Sequence, residues 1–192
     1  MSRTSPPPPK PKMKRFPWRW IGFIAPLAVL AGLVGVGAAT GPSVETLGTA
    51  TPFTLSAADG TDVSLQETLA KGDTLLYFSM GVGCDGCFAQ IPEIGPGAVE
   101  RGLNILPIMV DPAPMVSSEA ARFGIESPIL IDSGARVSEA YGMVGVYGHN
   151  DRPSHSFALV RVDGTIAWVR HYAEMFVPSD EFFEELDTAL GE

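Results

Sequence analysis

Two kinds of apolar pattern divide this chain. Over residues 21–39 (IGFIAPLAVLAGLVGVGAA) no side chain is charged or strongly polar for 19 positions. As a helix that run is about 28 Å long, against roughly 30 Å of bilayer hydrocarbon. Trp18 and Trp20 stand just before it, where indole rings favour the headgroup region. From Thr51 the apolar runs become short and punctuated. Residues 52–56 and 62–65 flank Asp59-Gly60, a hairpin signal. Ser64 with Glu67 forms a capping box that opens a helix over 65–70. Residues 73–80, 103–110 and 128–132 carry the β-prone runs LLYFS, LNILPIMV and PILID, the pattern of buried strands.

Between them the pattern predicts helices at 84–92, weakened at Pro92, at 117–123, stopped by Gly124, and at 136–141, ending at Gly142. Residues 156–162 and 165–171 flank Asp163-Gly164, a second hairpin signal. Ser179 is expected to cap a last helix with Asp180 and Glu181 in its first turn. Phe182, Phe183, Leu186 and Leu190 give that helix an apolar face. Strands alternate with helices and an antiparallel hairpin closes the set, so the fold class is α/β with a central mixed sheet.

Charge sharpens the division. Residues 1–20 hold Arg3, Lys10, Lys12, Lys14, Arg15 and Arg19 and no acid. The rest of the chain sets seven basic residues against twenty-two acidic ones. By the positive-inside rule the basic head stays in the cytoplasm and the acidic body lies outside. The expected organisation is a disordered basic cytoplasmic segment (1–20, with SPPPPKPK), one transmembrane signal anchor (21–40), a linker (41–50) and a folded domain (51–192). The rival is a cleaved signal, with Val36-Gly37-Ala38 as its small-residue site; the long basic region and long apolar stretch favour the anchor. A net charge of −9 argues against nucleic acid as a partner.

The chain has two cysteines, both in Cys84-Asp85-Gly86-Cys87 after a predicted strand and glycine loop. Two intervening residues put the sulfurs one helical turn apart, within disulfide reach. A helix N-terminus favours a thiolate, so Cys84 is the expected exposed attacking sulfur and Cys87 the resolving one. Asp85 works against that thiolate, and Gly86 is expected to loosen the turn. Half a zinc site is an alternative, with His149, His155 and His171 as the available histidines, none spaced as in a zinc finger. An inert disulfide is another, although so small a ring removes little unfolded-state entropy. Met80, Met109, Met115, Met143 and Met175 read as packing residues. Trp168 and Tyr172, alternating with Ile166 and Arg170, read as core residues, with substrate-groove packing the alternative. The Gly-rich residues 143–151 read as a loop shaping a substrate groove.

The segments DTLLYFSMGVGCDGC, PIMVDP, SPILID, AYGM and HSFALVRVDGTIAWVRHY together resemble the redoxin branch of the thioredoxin superfamily over about residues 45–190. That branch includes the alkyl hydroperoxide reductase/thiol-specific antioxidant proteins and membrane-tethered thiol–disulfide oxidoreductases. The resemblance implies a thioredoxin-like fold, Cys84 and Cys87 as the catalytic pair, no organic cofactor, and thiols or disulfides of proteins or small molecules as partners. It also implies a membrane electron donor or acceptor, which it leaves unnamed, and a cis-proline facing the disulfide. Pro153 is the candidate, one residue early, with Ser154 at the expected place; Pro153 and His155 are the expected substrate-binding residues. Gly83 stands where thioredoxins carry Trp, and Gly81 where peroxiredoxins carry a Thr or Ser. Arg152 or Arg161 would supply the peroxidase arginine. The same-fold alternative is thus a thiol peroxidase. The alternative of another class is a copper or zinc chaperone using Cys84, Cys87 and His155, as in Sco-type proteins, which place three residues between their cysteines.

Overall fold

The computed structural model describes residues 47–191. The expected basic head and apolar anchor, and all but the last residues of the expected linker, lie outside the described residues. Among those described, no helix is long and apolar enough to cross a membrane.

A short antiparallel pair, β1 (Thr54–Ser56) and β2 (Asp62–Ser64), opens the fold and runs directly into α1 (Leu65–Leu69). The main sheet then forms from β3 (Thr74–Phe78), β4 (Asn104–Met109), β5 (Leu130–Ile131), β6 (His155–Val160) and β7 (Ile166–Tyr172), in the order β5-β4-β3-β6-β7. β3, β4 and β5 are parallel, and β6 and β7 are antiparallel to their neighbours. The crossovers are α2 (Asp85–Glu100), α3 (Ala113–Arg122) and α4 (Arg136–Ala140), and α5 (Ser179–Leu190) follows β7. This is the mixed α/β sheet that the alternation of runs predicts, in the thioredoxin-like arrangement that the resemblance implies.

Central β3 is buried at all five positions, as a strand covered on both faces must be. Its odd and even residues separate two cores. Leu75 and Tyr77 join Phe157 and Leu159 under α2 and α5, with Phe88, Ile91, Ile94, Phe182 and Leu186. Leu76 and Phe78 join Ala158 and Val160 under α1 and α4, with Leu65, Leu69 and Met143. Trp168 and Tyr172 are core residues, as their alternation suggests.

Four local expectations are corrected. α2 does not weaken out at Pro92 but continues to Glu100, with Pro92 and Pro96 inside it. Both prolines face solvent, one turn apart, while Ile91, Ile94 and Ala98 hold the opposite face in the core. Water can serve the carbonyls left without an N–H, so burial outweighs the helix-breaking cost. Ser64 is the N-cap of α1 but makes no side-chain cap bond; its hydroxyl donates to Gln66 Oε1 at 3.1 Å. Ser179 is not a cap: Pro178 holds that position, and Ser179 N–H donates to Glu93 Oε1 of α2 at 2.9 Å. A carboxylate from a neighbouring helix thus serves the positive end of α5. α3 begins four residues earlier than expected, because Pro114 in its first turn lacks only an N–H that would be unpaired anyway.

Candidate active site

β3 delivers the chain to the dithiol. After Phe78 the backbone turns through Gly81 and Gly83, both at positive φ (85° and 97°), and Cys84 becomes the N-cap of α2. Cys84 and Cys87 are joined as a disulfide, with Cα atoms 5.3 Å apart. The Cys87 N–H donates to Cys84 Sγ at 3.2 Å. The first turn therefore aims a backbone dipole at the sulfur expected to carry charge once the pair is reduced. Cys84 is 5% exposed and Cys87 is fully buried. The expected exposed sulfur is thus only the more accessible of the two, because the disulfide turns it in towards the helix. Beneath the pair, the Tyr77 hydroxyl donates to the Cys87 carbonyl at 3.0 Å, and burial raises that phenol's pKa well above the usual value.

The residues between the cysteines behave differently from expectation. Asp85 pairs with Arg122 of α3, which also holds Glu119 at 2.6 Å. The hydrogen bond from Arg122 keeps the Asp85 carboxyl below the ordinary range. Its charge is therefore matched by a guanidinium, and its opposition to a Cys84 thiolate is reduced. The pair is exposed and adds little stability. Gly86 does not loosen the turn; it allows a close approach. A Cβ there would sit 2.7 Å from the Met175 carbonyl oxygen and 3.1 Å from its carbonyl carbon.

Two braces flank the disulfide. On the β3 side, Asp111 accepts the Val82 N–H at 2.9 Å and pairs with both terminal nitrogens of Arg152. Arg152 also donates to the Met80 carbonyl at 2.9 Å. A Cβ on Gly81 would lie 2.0 Å from Asp111 Oδ2. The place where a peroxidase hydroxyl would project is thus filled by this brace. Arg161, the other arginine considered, pairs with Asp73 at the opposite end of β3.

On the other side lies the segment after β7. Gln90 is fully buried, donates to the Val177 carbonyl at 3.0 Å and accepts the Val177 N–H at 2.7 Å. His155 Nδ1 lies 2.6 Å from the Glu174 carbonyl, so that nitrogen carries the proton and donates. His155 is fully buried among the rings of Tyr77, Phe157 and Tyr172, and its Nε2 has no hydrogen-bond partner among the described residues. Burial pushes the imidazole pKa down to about 4. Met175 Sδ lies 3.9 Å from Cys87 Sγ.

Of the residues expected from sequence, Cys84 and Cys87 meet directly. His155 reaches the site through Tyr77 and Glu174. The expected cis bond at Pro153 is absent: among the described residues every peptide bond is trans. Pro153 is buried and bridges Val144 in antiparallel fashion, while Ser154 N–H donates to the Met143 carbonyl. These bonds hold the segment as an extension of β6. The Gly-rich loop before it includes a short turn at Val146–Gly148, and Tyr147 donates to the His171 carbonyl at 3.3 Å. Among the described residues no three His, Cys, Asp or Glu side chains form a group able to hold a metal. The trio Cys84, Cys87 and His155 is not assembled as a ligand set. Asp111, Gln90 and Met175 were not anticipated as site residues; their partners lie 29, 87 and 88 positions away.

Comparison with known proteins agrees with this geometry. The family model Redoxin matches residues 44–179. The thiol-disulfide oxidoreductase ResA of Geobacillus thermodenitrificans is 30% identical over 137 residues, covering 69% of this chain and 78% of that protein. The ResA of Halalkalibacterium halodurans is 29% identical, covering 70% of this chain and 72% of that protein. Among solved structures, the peroxidoxin BcpB of Mycobacterium tuberculosis superposes with a TM-score of 0.61 at 20% identity, covering 76% of this chain and 96% of that one. At that identity the likeness concerns the fold. The Redoxin match runs through the strand, the loop and the helix that carry Cys84 and Cys87, and the chain belongs to the Redoxin family.

Proposed function

We propose that this redoxin is a thiol–disulfide oxidoreductase working outside the cytoplasmic membrane, held there by its own N-terminal anchor. The observation that carries the activity is the Cys84–Cys87 disulfide at the opening of α2, with the Cys87 N–H aimed at Cys84 Sγ. The names of the curated relatives support the same chemistry. In the reductive direction the Cys84 thiolate attacks a substrate disulfide. One substrate sulfur leaves as a thiol and a mixed disulfide forms. Cys87, losing its proton, then attacks Cys84 Sγ, releases the second substrate thiol and closes the ring. The reverse sequence oxidises a dithiol. No organic cofactor takes part. Pro153 and His155, with residues 173–177, form the walls that bear on the substrate side, His155 by holding Glu174.

The tether rests on the uncharged run 21–39, the basic residues before it and the acidic body after it. Insulin reduction driven by dithiothreitol tests the activity. Cys84→Ser is expected to lose it by at least about a hundredfold, and Cys87→Ser to accumulate a mixed disulfide on Cys84. A Cys84→Ser protein retaining wild-type exchange overturns the assignment. Externally added protease should digest the folded domain in spheroplasts while leaving a cytoplasmic marker intact; a protected domain overturns the location.

A further inference from the structure

The segment that follows β7 carries a further role. It is pinned from two elements, by Gln90 of α2 at Val177 and by His155 of β6 at Glu174. Between those anchors Met175 presses its main chain onto Gly86, at a spacing a Cβ would forbid, and lays its thioether 3.9 Å from Cys87 Sγ. Both anchors use neutral groups, and Gln90 is fully buried. A flexible residue is thus held in one place, over one of the two sulfurs. Cys84 keeps the little exposure the pair has, 5% against none for Cys87, and the neighbouring Gly83 is exposed.

We propose that Met175 determines which sulfur of the disulfide is attacked, by occupying the approach to Cys87 and leaving Cys84 as the more accessible target. Resting on the oxidoreductase reading above, this names the residue that imposes its direction of attack. In the step concerned, a thiolate forms a bond to Cys84 Sγ and the Cys84–Cys87 bond breaks. Cys87 leaves with the electron pair and takes up a proton. Attack at Cys87 instead would expel Cys84 and strand the substrate on the buried sulfur, where the resolving thiol is wrongly placed. Gln90 and His155 are positioning residues for this cover, and Gly86 is the gap that lets it close.

The full-length oxidised protein is mixed with glutathione, quenched with acid within the first turnover and alkylated. The adduct is then located on Cys84 or Cys87 by fragment-ion mapping. Wild type is expected to carry glutathione on Cys84 in roughly tenfold excess or more. Met175→Ala should lower that ratio about fivefold or more, and Met175→Leu, which keeps the bulk, should restore it. Gly86→Ala, acting from the other side of the contact, should lower it as Met175→Ala does. Near-ultraviolet circular dichroism identifies folded variants, and Met175→Leu against Gly86→Ala keeps the comparison if one of them fails to fold. Adducts formed at an unchanged ratio in folded Met175→Ala overturn this proposal alone. No adduct on either cysteine of wild type overturns it together with the oxidoreductase reading.

Discussion

The two walls of the dithiol site are built from different physics. The wall before Cys84 is held by charge: Asp111, nearly buried, is shared between the Val82 N–H and the Arg152 guanidinium. The wall after β7 is held by neutral hydrogen bonds from Gln90 and His155. A charged brace tolerates little change in shape, because a carboxylate without its partners is costly in a dry place. Neutral bonds from an amide and an imidazole cost less to break one at a time. The first wall fixes the backbone on which Cys84 is mounted; the second holds the cover over Cys87.

The largest effect expected on this contrast comes from Gly81→Thr. The new Cβ would meet Asp111 Oδ2 at 2.0 Å, on a backbone at φ 85° that a β-branched residue resists. We expect a loss of at least about 3 kcal/mol in chemical denaturation and no gain in peroxide consumption. A stable variant would show that the charged wall can move.

Acidification probes the second wall. The His155 pKa is depressed to about 4 in the fold, while an unfolded imidazole titrates near 6.5. The unfolded chain therefore binds more protons between those values. Stability is fully present above about pH 6.5 and is lost as pH falls towards 4, by up to about 3 kcal/mol. His171, also shifted down by burial, adds to the trend. Denaturation midpoints measured across that window should fall with acid, and His155→Phe should flatten the slope; an equally steep slope in His155→Phe assigns the effect elsewhere.

Gln90→Ala is expected to cost about 2 kcal/mol by leaving the Val177 N–H and carbonyl unpaired. Because the wall is neutral, that loss should be the same in 0.05 and 0.5 M salt to within about 0.3 kcal/mol. A salt-dependent loss would mean that charge holds this wall as well.

The elements readable from sequence were those with a local signature. Runs such as LLYFS and PILID, the two Asp-Gly turns and the spacing of the cysteines each state their structure within a few residues, and the sheet follows from their alternation. What escaped depends on distant partners. Nothing near Pro92 says that Ile94 and Ala98 will hold the helix in the core beyond it. Nothing near Ser179 announces that Glu93 will reach its N–H. Gly86 suggests freedom until Met175, from the far end of the chain, is seen against it. The expected cis bond at Pro153 came from the family resemblance, and the pairing of its neighbours with Met143 and Val144 takes the backbone another way.

Gln90 and Glu93 lie three residues apart on α2, and they grip Val177 and Ser179, two residues apart at the threshold of α5. The last helix is therefore stapled to the very turn that follows the cysteines. Amide protons at the chain's C-terminal threshold should exchange with solvent in step with those of the redox helix, as one cooperative unit. A pull applied through α5 is then felt first by the helix that carries the cysteines.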